Sequence, residues 1–355
     1  MPWNTLKPPG KRWGCWADVQ TEMKEHILNI TNGDSAVQVM KVGDIPGTFL
    51  SWRDVLHEGP VPAEISLDAL SDVRAKFIAE RGWGDFIQIR RDFEERDQAL
   101  HDFHAYSKVR LWFEHDLYDQ LQLLQILDAF SGKSLGEVDL TLICTDQYLG
   151  MIDPEHITDL FLFEEAVRPT HFTLAKKAWA AFRAASPEKW RALLDENTDA
   201  LPFLEGAVLR LLEEYPSTKN GLSRTAQKAL EIIAAGEDDP VQIFSRYRET
   251  EERLFLGDWS FWTMLNGMLG GIIPLLCLPD GGRLALPPGE HQLLTLTAMG
   301  EAVLSGKKQA LDLALPDRWI GGVHLRPGCL WLWDGDSKTL CQKNEQAVIQ
   351  NEHGH

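Results

Sequence analysis

Three short polar clusters hold most of the side chains able to bind or move charge. They are Asn32-Gly33-Asp34-Ser35, then Trp52-Arg53-Asp54 with His57-Glu58-Gly59-Pro60, then Glu114-His115-Asp116 with Asp119-Gln120. In the first, a glycine turn leads Asp34 and Ser35 to where a helix would begin with free backbone amides. That setting suits an anion, although the same side chains serve equally as helix caps. In the second, Arg53 presents a planar fork to a carboxylate or phosphate, while Asp54, His57 and Glu58 are groups that ligate metals or transfer protons. The alternative there is a surface loop closed by an Arg53–Asp54 or Arg53–Glu58 pair. The third cluster is the hardest to explain by local structure. Acidic residues favour the first turn of a helix, which accounts for Asp116 and Asp119 but leaves His115 and Gln120 without a role. Glu114, His115 and Asp116 are therefore the candidate acid/base residues, with Glu114 and Asp116 also the candidate metal ligands. Asp34, Ser35, Arg53, Asp54, His57, Glu58, Asp119 and Gln120 are the candidate ligand contacts.

Each cluster follows an apolar run that reads as a buried strand: His26 to Ile30, Thr48 to Trp52, and Val109 to Phe113, with a fourth strand at Val138 to Cys144. Ser66 to Glu80 reads as a helix capped by Ser66, with Asp68 and Asp72 toward its amino-terminal dipole. Asp85 to Tyr106 is a second, highly charged helix and Leu117 to Phe130 a third. Strands alternating with helices predict βαβ units and a mostly parallel sheet, whose strand carboxyl ends line one edge where ligands bind. Three clusters at three such ends thus predict one site. Asp116, Asp119, Gln120, Leu123, Leu127 and Phe130 share one helical stripe, which turns Asp119 and Gln120 toward the crevice. So many acids on one edge repel unless a divalent cation or cationic ligand joins them, or Arg53 and solvent neutralise them.

From Pro154 to Tyr215 the pattern is helical, over Leu174 to Ala185, Pro187 to Leu194 and Leu204 to Glu214; Pro216 and Lys219-Asn220-Gly221 then mark a boundary. Beyond it, Ser223 is placed to cap one helix, Pro240 opens a second to about Glu251 and Asp258 a third to Leu269. Ile272 to Leu278 and Arg283 to Leu286 read as a hairpin, Leu296 to Leu304 as a short helix, and Trp319 to Leu340 as two strands with a turn at Asp334-Gly335. The predicted organisation is an extension over 1–24, an α/β domain over 25–152, a helical segment over 153–216, an α+β domain over 217–310 and a β tail over 311–355. Met23, just before the first strand, is an alternative start.

A chain of 355 residues, 44% hydrophobic and 25% charged, has the composition of a soluble protein with more than one domain. A net charge of −18 argues against a dominant nucleic-acid or anionic-membrane partner. Five scattered cysteines without a C-x-x-C spacing imply neither a disulfide framework nor a structural zinc site and point to a reducing cytoplasm. No apolar core of a signal peptide opens the chain. The uncharged stretch from Trp259 to Pro279 is long enough to span a bilayer, but Asn266, Gly267, Gly270, Gly271 and Pro274 break it, so it reads as buried core.

The strand-end motifs resemble domain of unknown function 1835, an uncharacterised bacterial family. Its pattern is a Gly-Asp-Ser-Ala turn after the first strand, an Asp and a Gly-Pro after the second, and a Trp-containing strand leading to an acid-Gln pair. Here these read Gly33-Asp34-Ser35-Ala36, Asp54 with Gly59-Pro60, and Trp112 with Asp119-Gln120. The match runs over about residues 26–150, and the helical segment and Asp317-Arg318-Trp319-Ile320-Gly321-Gly322-Val323-His324-Leu325 look like longer members. The resemblance implies a Rossmann-like amino-terminal domain and brings no established activity. The three helices and hairpin after Pro216, ending Leu296-Thr297-x-x-Gly300-x-x-x-Leu304, resemble a winged helix. That region holds more acids than bases, and its third helix has no Arg or Lys, which speaks against DNA reading and for packing, a protein partner or self-association. Gly33-Asp34-Ser35 also looks like the nucleophile block of GDSL-type serine hydrolases, which implies Ser35 as nucleophile. Asp54…His57 and Asp153…His156 have the spacing of that family's Asp-His pair, but its Gly-x-Asn-Asp block is missing.

The expectation is a cytoplasmic α/β protein binding a small polar or phosphorylated, nucleotide-like ligand, with a divalent metal at the carboxylates and hydrolysis as the reaction. The rivals are a ligand-sensing regulator or protein-interaction module using the winged helix, and a serine esterase.

Overall fold

The protein is described by a computed structural model over residues 26–343. The expected extension at 1–24 and the alternative start at Met23 lie outside those residues. The chain forms a mixed α/β structure. Its main sheet begins with β1 (Ile27–Thr31), the helix α1 (Asp34–Val42) and β2 (Thr48–Ser51). A two-residue strand β3 (Gly59–Pro60) and the helices α2 (Leu67–Glu80) and α3 (Phe86–His101) follow. Then come β4 (Lys108–Glu114), α4 (Leu117–Phe130), β5 (Asp139–Thr145) and β6 (Glu165–Ala166). The sheet order is β2-β1-β4-β5-β6; the first four strands are parallel and β6 is antiparallel at the edge.

Side-chain alternation decides what each face of the sheet meets. Val109, Leu111 and Phe113 of β4 point into the main core with α4, and Trp112 points the other way, into a smaller core with Met40 of α1, Ile143 and Leu149. The indole of Trp112 donates to the Asn29 carboxamide at 3.0 Å, so this polar residue inside β1 is satisfied. The helices after β1 and β4 thus cover opposite faces, and the chain order reverses between these two strands. A crevice opens at such a point on the carboxyl-end edge. Local signals fix the helix starts. Ser66 accepts from the Ala69 amide at 3.2 Å, and Asp85 accepts from the Ile87 and Gln88 amides at 3.0 and 3.1 Å.

The segment Pro154–Phe163 is a 3₁₀ helix, after which α5 (Pro169–Phe182), α6 (Glu188–Ala192) and α7 (Leu204–Leu212) complete the main core. A second core lies between Leu222 and Val303. It is built from α8 (Arg224–Ala234), α9 (Pro240–Glu249), α10 (Asp258–Leu269), a two-stranded ribbon of β7 (Leu276–Cys277) and β8 (Thr295–Leu296), and α11 (Ala298–Leu304). Ser223 caps α8 as expected, accepting from the Ala226 amide at 3.3 Å. The hairpin differs from expectation: the partner of Leu276–Cys277 is Thr295–Leu296, not Arg283 to Leu286. The reason is Asn266. Its buried carboxamide accepts from the Leu284 amide at 2.7 Å and donates to the Leu284 carbonyl at 3.1 Å, doing for that segment what a neighbouring strand would do. The uncharged stretch splits between α10, an exposed Gly270–Ile273 turn and β7, and no helix of the described residues is long and apolar enough to cross a membrane.

Among the described residues the tail holds four strands rather than two: β9 (Arg318–Gly321), β10 (Val323–Leu325), β11 (Leu330–Asp334) and β12 (Thr339–Lys343). β9 pairs with β10 and, in parallel, with β3, so the chain returns to the main core, where Ile320, Val323, Leu325, Trp331 and Trp333 are buried. Gly321 and Gly322 allow this return. A Cβ on Gly322 would lie 1.9 Å from the Arg183 carbonyl oxygen, and Gly321 has a positive φ of 58°. The chain leaves for the second core and comes back at one place, since the Trp333 amide donates to Pro216 at 2.8 Å and the Ala310 amide to Asn220 at 2.8 Å.

Candidate functional site

Where β1 and β4 diverge, the side chains of Asn32, Glu114, Asp116 and Asp119 meet. Strand β4 ends at Glu114, Asp116 caps α4 by accepting from the Asp119 amide at 3.2 Å, and the first turn of α4 carries Asp119 back beneath the strand end. The Asn32 carboxamide donates to Glu114 at 2.9 Å and to Asp119 at 2.8 Å. Asp119 also accepts from the Glu114 amide at 2.7 Å, and Glu114 from the Leu149 amide at 2.8 Å. Gln120 fixes the strand end by donating to the Glu114 carbonyl at 2.7 Å. One carboxylate oxygen from each of Glu114, Asp116 and Asp119 lies within 4.8 Å of the others, and all three residues are buried.

Burial is the chief reason that all three carboxyl groups are pushed above the usual carboxylate range, because desolvation disfavours the charged form. Repulsion from the neighbouring acids adds to this at Asp116, which is pushed up to about 8, and at Asp119, while hydrogen bonds from Leu149, Asn32 and Asp116 oppose the effect of burial at Glu114. Elsewhere the protein treats buried acids differently. Salt bridges take in Asp54 with Arg74, Glu164 with Arg110, Glu214 and Glu251 with Arg210, but among the described residues none takes in Glu114, Asp116 or Asp119. Three close acids held by neutral donors alone form a set of oxygen ligands suited to a hard divalent cation.

A cavity of about 400 Å³ opens beside them, with Asn32, Ser35, Glu114, Tyr148 and Arg248 among its walls. The segment 254–258, between α9 and α10, forms one side of it. The Leu254 amide donates to the Tyr148 hydroxyl at 2.5 Å, and Arg253 donates to the carbonyls of His115 and Phe203 at 3.3 Å each. His115 is buried against Tyr148 and Phe203, and burial and Arg253 lower its basicity, so its ring is neutral at pH 7.

The three sequence clusters are not one site. Glu114, Asp116, Asp119 and Gln120 come together with Asn32, and Ser35 joins them on the cavity wall. Asp34 and Arg53 instead bind each other, through contacts of 2.6 to 3.1 Å on the exposed surface. Neither is free for an anion, and neither Asp34 nor Ser35 caps α1 through its side chain. Asp54 is fully buried behind the edge, 2.9 Å from the Arg74 guanidinium and 4.0 Å from that of Arg96. Arg74 donates further to the carbonyls of Val55, Glu58 and Pro60, so this ion pair knits the loop before β3 and is structural. His57 and Glu58 face a different cavity. No described histidine hydrogen-bonds Ser35; both ring nitrogens of His57 lack partners, and His156 pairs with Asp159 on the surface at 3.3 Å.

Tyr148, Leu149, Arg248 and the 253–258 segment were not foreseen as contributors. Tyr148 and Leu149 follow β5, so the strand-end rule that pointed to the first three clusters, carried to a fourth strand, reaches them. Arg248 and the 253–258 segment come from more than 130 positions further on than Glu114 and carry no local signal. The chain matches no protein-family model and no curated protein.

Proposed function

We propose that this protein binds a divalent cation through Glu114, Asp116 and Asp119 and, in the adjoining cavity, a small phosphorylated, nucleotide-like ligand that it hydrolyses. The observation that carries this reading is a cluster of three buried acids that no salt bridge among the described residues takes in, in a chain where Asp54, Glu164, Glu214 and Glu251 are each paired with arginine. A bound cation relieves the repulsion, orients a phosphate and acidifies a bound water into a nucleophile at neutral pH. Arg248 across the cavity supplies the positive charge that a phosphate requires. Asn32 holds two of the acids in place, the supporting role that orients metal-binding carboxylates.

The test is calorimetric titration of Mn²⁺ and Mg²⁺ into the wild type and Glu114→Gln, followed by phosphate release from a nucleoside triphosphate and from a phosphate monoester. Binding weakened about tenfold or more in the variant supports the reading. A wild type that binds neither cation, or a variant that binds as well, overturns it.

A second reading rests on the second core. Its three helices and short ribbon, which we read as winged-helix-like within a Rossmann-like protein, present Ile272 97% exposed beside α10, a helix without Arg or Lys. An exposed isoleucine on an acidic unit suits a protein contact better than DNA, so the same cavity would then serve sensing. Retention of genomic DNA fragments in a gel shift at moderate salt would exclude the protein-contact version.

A further inference from the structure

Between the sheet edge and the second core lies a further cavity of about 210 Å³, distinct from the carboxylate cluster. Its floor is His57 and Glu58, from the loop before β3. The His57 side chain is only 4% exposed, and neither ring nitrogen has a hydrogen-bond partner. The Glu58 Oε1 is likewise buried without a partner, 3.7 Å from the His57 Nε2. Phe255 packs edge-on against the imidazole, with ring centroids 5.1 Å apart, so the ring is held in place with its polar atoms unused. An imidazole and a carboxylate oxygen left unpaired in the interior are a standing penalty that a guest with hydrogen-bonding groups removes.

The rest of the lining says what kind of guest. Arg81, at the end of α2, is exposed at the mouth and stacks on Phe77 with its guanidinium carbon 5.2 Å from the ring centre. Arg318 of β9 reaches the same cavity, where its guanidinium donates to the Glu214 carbonyl and lies 4.0 Å from the Glu214 carboxylate, which is also part of the lining. Met264 and Ile320 supply apolar wall. The cavity therefore brings together two guanidiniums, the His57 imidazole, the Glu58 carboxyl and apolar wall. Its volume equals that of roughly seven waters, enough for a small organic molecule.

We propose that this cavity binds a small amino- or hydroxy-carboxylic acid, its carboxylate on Arg81 and Arg318 and its ammonium or hydroxyl on Glu58 and His57. Burial pushes the Glu58 carboxyl up while Ser260, by hydrogen bonding, and then Arg81 and Arg318 draw it down, and a donor from the ligand acts in the same sense as these groups. The site takes residues from the α/β sheet edge, from α10 and from β9, so a ligand there holds three parts of the chain together and raises the stability of the whole.

The experiment is a thermal-shift and calorimetric titration of the full chain with glycine, L-serine, L-lactate and L-malate. We expect at least one to bind the wild type with Kd of about 1 mM or tighter and to raise Tm. Arg81→Ala, which alters only an exposed side chain, should weaken that binding about tenfold or more while leaving the ligand-free Tm unchanged. Thr263→Trp, which fills the cavity, should abolish it, and Glu114→Gln should bind as the wild type does, which separates this site from the cation site. If none of the four acids binds the wild type, or if Arg81→Ala and Thr263→Trp bind as tightly as it does, the proposal fails.

Discussion

Three carboxyl groups crowded at the end of β4 cost the folded protein something, and that cost is measurable one residue at a time. Asp116→Asn keeps the cap on α4, because asparagine accepts from the Asp119 amide as aspartate does, and it removes one buried acid. In the presence of a chelator this variant should be more stable than the wild type by about 1 kcal/mol in urea unfolding, and it should lose the stabilisation that Mn²⁺ gives the wild type. His57 makes a second prediction. Burial, helped by Arg74 and Arg210 and opposed by Glu214, lowers its pKa to about 3 from an unfolded value of 6.5. Below pH 6.5 the unfolded chain takes up this proton and the folded one does not, so stability falls as pH drops from 6.5 toward 3. The slope from this one group is at most about 1.4 kcal/mol per pH unit. His57→Gln should remove that share of the acid-side slope in urea midpoints measured from pH 7 to 5. At this scale the sequence was legible where a residue's neighbours in space are its neighbours in the chain, as with Glu114, Asp116, Asp119 and Gln120. It misled at Asp54 and Asp34, whose partners Arg74 and Arg53 lie 20 and 19 positions away and neutralise groups that look free on paper.

Elements whose residues carry their own start and stop signals were legible: β4, α4 and α10 lie within a residue or so of the lengths that apolar runs and caps imply. Elements defined by an unusual partner were not. Leu284 satisfies its backbone on the Asn266 carboxamide, and nothing local in Arg283 to Leu286 says that no strand will come. Asn266→Ala should therefore leave two buried backbone groups unpaired and destabilise the protein by about 2–4 kcal/mol in denaturant unfolding, whereas Ile272→Ala, at a fully exposed side chain nearby, should be nearly neutral. The return of β9 depends in the same way on a close approach. Gly322→Ala sets a methyl against the Arg183 carbonyl and should loosen β9 from β3, seen as faster amide exchange at Val61, whose N–H is bonded to Gly321 at 2.8 Å.

For the molecule as a whole, the main core draws on residues from Leu28 to Tyr215, on Phe255, and again on Ile320 to Trp333, with the second core made from residues between Leu222 and Val303. A chain ending at Pro316 should for that reason fail to bury the edge at β3 and be recovered insoluble or unfolded, as judged by near-UV dichroism and proteolysis. The parallel sheet and its carboxyl-end edge were readable because each βαβ unit announces itself locally. The separate three-stranded sheet that the tail makes with β3 was not, since it depends on contacts between residues some 260 positions apart. Because the stretch holding the second core leaves and rejoins beside Pro216 and Asn220, the two severed ends of the main core would lie within reach of a short linker. Synthesis proceeds in one direction, so the growing chain must make the whole of this unit before it receives the strand that seals its first. The order of manufacture is the reverse of the order of need: the main core waits, with an unsealed margin, for a strand made only after the whole of the second core.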